Sequence, residues 1–378
     1  MLLNRILGSL AILSLALMLW QWLVSRRFPL HRRLSATPFT PGVTLLKPLK
    51  GCDATTESCL RSWLVQEYLG PVQVVFAVAS EADPVCAVVR NLLAQLPLVD
   101  AQMLVCGSLF GANLKVSKLL QAEALAKHEV LVISDADVKV PLDFLANTVA
   151  PLRDAGIGLV NCFYSLANPT TLPMRWEAVA VNADFWSQVL QSQSLRPLDF
   201  ALGAVMVTRR QNLKEIGGFA GLVDCLADDY QLGNRIARLG NRIAISPIVV
   251  ECWSEPMDWA AVWNHQLRWA RTIRVCQPVP YFFSILSNLT LWPLVWLAAY
   301  PRKLEAIFCC VCLVVRVFAA LDLSSRLTRK APPWRDAWLV LMKDLLQAGI
   351  WALAFLGNKI EWRGERMRLR RDGTLVKP

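Results

Sequence analysis

The chain has 378 residues, enough for one large domain or two ordinary ones, and a formal net charge of +11 at pH 7. Hydrophobic residues make up 55% of it, above the usual globular share, and they gather at the two ends. The arginines cluster beside these apolar ends, which argues against a nucleic-acid partner and suits a protein lying on anionic lipid. Eleven cysteines without paired spacing and only three histidines argue against a disulfide framework and a zinc site.

The first predicted element is a membrane anchor. Residues 6–24 carry no charge and are about long enough to span a bilayer as a helix, and several arginines follow directly. The stretch is long for a signal peptide and lacks an obvious cleavage site. We therefore predict an uncleaved anchor over residues 1–25 whose C-terminal flank faces the cytosol, then a basic linker over 26–40. A buried helix is the alternative interpretation of the apolar stretch.

Residues 41–277 are predicted to form a soluble α/β domain. Strand-like and helical stretches follow one another in the order strand 42–51, strand 71–79, helix 83–96, strand 101–107, helix 115–128 and strand 129–135. This alternation, with runs that are apolar on both faces, predicts a mainly parallel sheet with helices on both faces. Ligands of such sheets bind outside the carboxyl ends of the strands, which is where several acidic and basic residues fall.

The last of these strands, in the stretch "VLVISDADVKVP", ends at two carboxylates one residue apart, Asp135 and Asp137. Two carboxylates at a strand end can face one hard cation, and Mg²⁺ or Mn²⁺ typically takes one or two carboxylates together with substrate phosphates. The alternative is that either residue caps a turn or the helix beginning near Pro141. We expect Asp135 and Asp137 to hold a divalent cation.

Two further candidates stand where helices begin. Asp83 precedes Pro84, so it is either a helix cap or, because it follows the second strand, a substrate-binding residue. Lys115 lies in "GANLKVSK" just before a helix, where a lysine and free backbone N–H groups can meet a phosphate. A solvated lysine is the alternative for Lys115.

Asp228 and Asp229 are adjacent carboxylates at the start of another helix, in "LADDYQLGNRIARLG". One carboxylate can cap the helix, and the second suggests a further task such as a general base. Burial beside apolar residues and a nearby metal-bound phosphate would tune its proton affinity.

The segment 264–274, "NHQLRWARTIR", groups three arginines around Trp269. An arginine can clamp a diphosphate, and a tryptophan can form a floor for a ring. The alternative is a belt of tryptophans at the level of the lipid headgroups, and both interpretations are compatible.

Residues 278–358 contain three more apolar segments, at 281–300, 304–321 and 337–357. Prolines in and around the first predict a bent or re-entrant segment, whereas the other two carry charges that must face a protein interior, a cavity or a partner charge. Two or three crossings remain open, because three would put the basic tail, 359–378, on the far side of the membrane from the catalytic domain, against the positive-inside rule.

Taken together, the motifs resemble the D, D, D, (Q/R)xxRW pattern of family 2-like glycosyltransferases. The closer resemblance is to the ceramide glucosyltransferase family and the bacterial hopanoid-biosynthesis glycosyltransferases. It rests on "LLKPLKG", "ADP", "GANLKVSKL", "SDADVKVP", "ADDY", "HQLRWART" and the tail "WRGERMRLR", and covers roughly residues 40–275 plus the tail. One departure is His265, which stands where the pattern has Gln or Arg.

This resemblance implies a GT-A fold on the cytosolic face of a membrane, the bacterial inner membrane in the hopanoid case, and transfer of a hexose from a UDP-sugar to a membrane lipid. Its site residues would be Asp83 on the uridine, Asp135 and Asp137 on the divalent ion and diphosphate, Asp229 as the catalytic base, and Arg268 with Trp269 closing the site. Lys115, Asp228 and His265 complete the set as substrate-binding residues whose individual contacts the resemblance does not fix.

The mechanism expected is inverting: Asp229 takes the proton of a lipid hydroxyl, and the oxygen attacks the anomeric carbon from the face opposite UDP. The sugar, glucose or N-acetylglucosamine, and the acceptor, ceramide or a hopanoid polyol, stay open, as does the oligomeric state. A processive polysaccharide synthase is one alternative, although it needs a channel of more spans and normally has Gln at the His265 position. A non-catalytic membrane scaffold is the other, and loss of a site carboxylate would favour it.

Overall fold

The computed structural model describes residues 1–34, 39–362, 365–370 and 372–376. Part of the predicted basic linker, residues 35–38, and part of the basic tail, residues 363, 364, 371, 377 and 378, therefore lie outside the described residues.

The described residues form strands β1 to β11 and helices α1 to α14. The strands are β1 Val43–Pro48, β2 Val72–Val78, β3 Asp100–Val105, β4 Val130–Ser134, β5 Val138–Lys139, β6 Ile157–Leu166, β7 Val205–Arg209, β8 Arg242–Cys252, β9 Lys359–Trp362, β10 Glu365–Leu369 and β11 Leu375–Val376. The helices are α1 Leu2–Arg27, α2 Thr56–Leu64, α3 Val85–Gln95, α4 Leu114–Glu123, α5 Phe144–Val149, α6 Leu172–Val179, α7 Trp186–Gln193, α8 Arg210–Glu215, α9 Asp228–Arg238, α10 Trp259–Cys276, α11 Pro278–Phe283, α12 Leu291–Ala299, α13 Lys303–Thr328 and α14 Trp338–Phe355. A π-helical turn, Ala180–Phe185, joins α6 to α7.

Eight strands form one sheet in the order β3-β2-β1-β4-β7-β6-β8-β5. The first four are parallel to one another, β8 is parallel to β6, and β7 and β5 are antiparallel to their neighbours. The predicted fold class, a mainly parallel sheet flanked by helices, is confirmed. Because β1 and β4 lie in the middle with both faces covered, every residue in them is buried.

The register of the parallel strands brings their carboxyl ends to one edge. Pro48 of β1 pairs with Ala77 of β2, and Leu46 of β1 pairs with Ile133 of β4, so these strands end at nearly the same level. Asp83 follows β2 and Asp135 follows β4 directly. The predicted meeting of polar residues at this edge is therefore a consequence of strand register.

Within the part of the chain that the structure describes, three helices are long and apolar enough to cross a membrane: Leu2–Arg27, Lys303–Thr328 and Trp334–Phe355. A fourth apolar stretch is a bent pair, Pro278–Ser287 and Leu291–Ala299, with an angle of 56° between its halves. The bend predicted at 281–300 is present, but its local cause is Asn288, whose side-chain oxygen accepts hydrogen bonds from the N–H groups of Thr290 (3.2 Å) and Leu291 (2.9 Å) and so starts a new helix.

Three charged residues inside the apolar segments are paired with each other and with the catalytic domain. We call Asp184, Arg316, Lys343 and Asp344 the ionic cluster. Arg316 lies 2.7 Å from Asp344 and 2.8 Å from Asp184, and Lys343 contacts the same two carboxylates. All four are buried. The cluster is electrically balanced, which offsets the cost of burying charge and explains how α13 and α14 tolerate these residues.

Candidate active site

Four of the predicted site residues meet at the carboxyl edge of the sheet. The Nζ atom of Lys115 lies 2.8 Å from an oxygen of Asp135 and 3.1 Å from an oxygen of Asp228, and Asp229 follows Asp228 on α9. Burial by itself would lower the pKa of Lys115, but these carboxylates outweigh it and the pKa is raised. Lys115 is therefore a permanent cation between two acidic segments that are 93 residues apart in the chain.

Asn113 places Lys115 in this position. Its side-chain oxygen caps α4 by accepting from the N–H groups of Lys115 (3.0 Å) and Val116 (3.2 Å). Its side-chain nitrogen donates to the carbonyl of Cys225 (2.8 Å) and more distantly to Asp228 (3.4 Å). The buried amide of Asn113 thus holds the start of α4 against the segment before α9. This explains the asparagine in the "GAN" of the sequence motif.

Asp135 and Asp137 form an electrostatically strained pair. The pKa of Asp137 is raised to about 6, first because the group is buried and second because Asp135 is negatively charged. A divalent cation would relieve both effects, so the donor set fits Mg²⁺ or Mn²⁺. No group of three or more His, Cys, Asp or Glu suited to a metal ion occurs among the described residues. Such an ion would need further oxygen ligands, as a bound diphosphate supplies.

Lys47 is a second cation at this edge that we did not predict. It is fully buried on β1, and its Nζ atom donates to the backbone carbonyl of Asp135 (2.5 Å) and to the hydroxyl of Ser134 (3.3 Å). The Nζ atom also lies 4.6 Å from the ring centre of Trp63. Burial lowers the pKa of Lys47 to about 8. The sequence does contain an indication of this role. Lys47 lies inside the apolar run "VTLLKP", where a solvent-exposed lysine would not be expected.

Asp83 makes structural contacts, but the N-cap of α3 is Pro84 and not Asp83, as the alternative interpretation had it. Both of its oxygens accept from the N–H of Gly51, at 3.0 and 3.1 Å, and one accepts from the N–H of Val85 at 3.1 Å, where α3 starts. The carboxylate therefore ties the loop after β1 to the helix after β2. Its contact with a uridine stays a prediction.

Asp229 is the best candidate for a general base. It lies in the first turn of α9 with one oxygen accepting from the N–H of Tyr230 at 2.7 Å. Its pKa is raised to about 6, first by burial and then by the neighbouring charge of Asp228. A carboxylate with this pKa is deprotonated at neutral pH yet basic enough to accept a proton in a transition state.

Gly203 leaves the space that the Asp229 carboxylate occupies. A Cβ atom at position 203 would lie 2.7 Å from an oxygen of Asp229, closer than real side chains approach. We expect Gly203→Ala to displace the carboxylate and to lower kcat roughly 10- to 100-fold, since small misplacements of reacting groups cost about that much. Gly107→Ala is the matched control, because nothing lies within 4 Å of a Cβ there. Equal activity of the two variants, assayed at equal protein abundance, would contradict this geometry.

Helix α10 forms a neighbouring wall that carries His265, Arg268 and Trp269. The hydroxyl of Tyr230 on α9 donates to the carbonyl of the last residue of α10, Cys276, at 3.0 Å. The ring of Trp269 packs 4.7 Å from His265 and 6.0 Å from Phe185 of the π-helical turn. The Nδ1 atom of His265 lies 2.6 Å from the carboxylate of Glu177. Arg268 lies half-buried on the same helix. The contacts that Arg268 and Trp269 would make with a substrate stay predictions.

Glu177 is a buried acid that belongs to none of the sequence motifs. It lies on α6 and accepts from the side chain of Gln266 (2.8 Å) as well as contacting His265. His265, which departs from the Gln or Arg of the pattern, is thus held by a partner 88 residues away. The buried Tyr164 connects this wall to the sheet edge: burial is the main reason for its raised pKa, and the charges of Asp229, Glu177 and Asp137 add to it.

The chain is similar in sequence to known glycosyltransferases. A sequence model described as glycosyl transferase family 21 matches residues 6–375. Ceramide glucosyltransferase 1 of Caenorhabditis elegans is 22% identical over 363 residues, which cover 92% of this chain and 76% of the relative. The ceramide glucosyltransferase of Komagataella phaffii is 31% identical over 161 residues, which cover 39% of this chain and 31% of that protein.

Among solved structures, the mannosyltransferase PcManGT from Pyrobaculum calidifontis, in complex with GDP-Man and Mn²⁺, superposes with a TM-score of 0.55 at 20% identity. The match covers 93% of this chain and 99% of that one, and it confirms the GT-A-type fold. Because the family model matches almost the whole chain, the resemblance noted in the motifs is confirmed: this protein belongs to glycosyl transferase family 21 and is a membrane-associated glycosyltransferase.

Proposed function

We propose that the protein transfers a hexose from a UDP-sugar to a hydroxyl group of a membrane lipid, with inversion at the anomeric carbon. The observation that carries this proposal is the position of α10 between the site and the membrane helices. One face of α10 lies beside the sheet edge that holds the site carboxylates, and its other face packs on the apolar helix α14 through a shared core. Val262 and Ala270 of α10 contribute to that core, together with Leu339 and Ile350 of α14. A lipid hydroxyl can reach this site while the acyl chains stay in the bilayer.

Each charged group has a place in the proposed reaction. Asp135 and Asp137 would hold the divalent ion, which when bound neutralises charge building on the diphosphate. Lys115 and Arg268 would add fixed positive charge around the same diphosphate, and Asp83 would bind the uridine. Asp228 and His265 would complete substrate binding by orienting Lys115 and Trp269, which they contact.

Asp229 would take the proton from the acceptor hydroxyl, and Trp269 would form one wall of the acceptor site. Glucose and ceramide are the first substrates to test, because the Caenorhabditis elegans relative that matches 92% of this chain is named a ceramide glucosyltransferase. N-acetylglucosamine and a hopanoid polyol are the second pair. The arginines that end α1 favour a catalytic domain on the cytosolic face, in bacteria that of the inner membrane.

The pH dependence of kcat/KM should report Asp229. A base must be deprotonated, so activity should rise with pH through about 6 and level off above it. Asp228→Asn removes the like charge that helps to raise the pKa of Asp229, and we expect the acid limb of its profile to move to lower pH. The profile is measured with donor and acceptor at fixed low concentrations. An acid limb that stays in place in Asp228→Asn would argue against Asp229 as the titrating group.

The substrate assignment is tested directly in membranes that contain the protein. These are incubated with UDP-glucose or UDP-N-acetylglucosamine, with Mg²⁺ or Mn²⁺, and with ceramide or a hopanoid polyol, and the lipids are identified by mass spectrometry. We expect one glycolipid that disappears with EDTA and in Asp135→Asn/Asp137→Asn. No glycolipid in any combination, from folded membrane-bound protein, would overturn the proposed acceptor class.

A further inference from the structure

We propose that α14 does not cross the membrane but lies along its surface beneath the catalytic domain, with an apolar stripe inserted into the leaflet that holds the acceptor. In this topology the chain crosses three times, through α1, the bent pair α11–α12 and α13. The partner of the stripe is the lipid bilayer itself. This topology follows from contacts within the chain and does not depend on the substrate.

Helices α1 and α13 run in the same direction and in register. The indole N–H of Trp22 donates to Asp322 at 2.8 Å, and Arg26 lies 3.7 Å from the same carboxylate. One turn further along both helices, the guanidinium of Arg326 donates to the carbonyl of Arg26 at 3.0 Å. The two helices therefore end on the same side of the membrane, which is the side where the catalytic domain begins.

The bent pair carries the chain to the opposite side. At the far end of α12, the indole N–H of Trp296 donates to the side chain of Asn4 at 2.7 Å, and a Cβ on Gly8 would lie 3.1 Å from the Trp296 ring. Asn4 and Gly8 stand at the start of α1, away from the catalytic domain. Because α10 belongs to the catalytic domain and α12 ends beside the start of α1, the segment between them must span the bilayer.

Helix α14 behaves differently, because it contacts the catalytic domain along its whole length. Just before its start, Asp336 lies 2.6 Å from Arg175 of α6. In its middle, Lys343 contacts Asp184 of the π-helical turn. Just beyond its end, the guanidinium of Arg274 on α10 contacts Asn358. An 18-residue helix is about 27 Å long, so a crossing helix would carry one end roughly 30 Å away from the domain.

The tail that follows α14 also lies on the catalytic side. The N–H of Leu375 donates to the carbonyl of Asp224 at 2.7 Å, and the N–H of Leu226 donates to the carbonyl of Gly373 at 3.2 Å. Both partners belong to the segment that leads into α9. Helix α13 ends on this side and the tail lies on it too. Helix α14 joins the two, so it begins and ends on the same side of the membrane.

The outward face of α14 suits insertion into a leaflet. Trp338, Leu345 and Leu356 are 51%, 44% and 79% exposed, and the spacing of the exposed positions follows one face of a helix. The stripe consists of Trp338, Leu345, Gly349, Ala352 and, just past the helix end, Leu356, and the exposed Leu353 and Phe355 flank it. The exposed rings of Phe282 and Phe283 on α11 extend the apolar surface, which is continuous with the membrane-crossing helices through the α11–α12 pair.

The test is protease accessibility in the full-length chain. A tobacco etch virus protease site is inserted after Arg302, after Lys330 or at the C-terminus, and the protease is added to sealed vesicles of either orientation. We expect cleavage after Lys330 and at the C-terminus from the same side, and cleavage after Arg302 only from the opposite side. Cleavage after Lys330 and at the C-terminus from opposite sides would show that α14 crosses and would overturn the proposal.

The unfolding temperature of each protein with an insertion, measured in detergent beside the parent chain, reports separately whether it is folded. If the insertion after Lys330 prevents folding, Lys330→Cys labelled by a membrane-impermeant maleimide replaces it, with the unsubstituted chain as the background for its native cysteines. Labelling from the side on which the C-terminal site is cut supports the surface position of α14, and labelling from the other side contradicts it. Neither result depends on the identity of sugar or lipid, so failure of the substrate assignment would be visible separately.

Discussion

Asp229→Asn should abolish sugar transfer while leaving the donor bound. The amide cannot accept the acceptor proton, and general bases contribute roughly 10²- to 10⁴-fold to rate, so we expect kcat to fall by about that factor. The side chain keeps its size and can still accept from the N–H of Tyr230, so the fold should be unaffected. The measurement is initial rate of glycolipid formation, together with the dissociation constant of the UDP-sugar.

Asp258→Asn is the matched control for this substitution. Asp258 caps α10 by accepting from the N–H of Ala261 at 2.8 Å, and asparagine caps helices about equally well. We expect parent-like activity from this variant. Turnover of Asp229→Asn within a few-fold of the control would show that another group accepts the proton.

Breaking the ionic cluster should have the largest effect on stability. Arg316→Gln removes the cation that contacts Asp184 and Asp344, and leaves two buried carboxylates facing Lys343 alone. Loss of one partner from a buried ion pair typically costs about 3–5 kcal/mol. We expect a large fall in the unfolding temperature in detergent and in the amount of membrane-inserted protein. Unchanged values for both would contradict the proposed importance of the cluster.

Charge balance provides the control for the cluster. Asp184→Asn leaves an excess positive charge, whereas Asp184→Asn/Lys343→Gln leaves the Arg316–Asp344 pair, which is joined at 2.7 and 2.8 Å. The double variant should therefore lose less stability than Asp184→Asn alone. Additive losses would indicate that shape, and not charge, limits substitution there.

Features of the fold and the site that depend on short stretches of sequence could be predicted. Apolar runs defined β1, β2 and β4, and the parallel register that follows from them brought Asp135 to the same edge as Lys115. The bend near Pro293 was also predictable, although Asn288 provides its local cause. These features depend on neighbours in the chain or on strand pairing, which patterns of a few residues encode.

The remaining features depend on contacts between distant segments. Asp184 and Arg316 are 132 residues apart, and Glu177 and His265 are 88 apart, so no local pattern shows that they meet. Lys47 is hidden in an apolar strand, and the partners of its amine lie on distant segments, at the end of β4 and on α2. Hydrophobicity also cannot separate a crossing helix from one that lies flat, because α14 has the composition of the former and the contacts of the latter.

The anomeric configuration of the lipid product tests most directly whether the protein transfers a sugar to a lipid with inversion. Purified protein in lipid nanodiscs is given UDP-α-glucose, Mn²⁺ and ceramide, and the product is analysed by mass spectrometry and proton NMR. We expect a β-linked glucosyl lipid, because one displacement opposite UDP with Asp229 as base inverts the anomeric carbon. An α-linked product, or release of UDP and free glucose without any glycolipid, would contradict it.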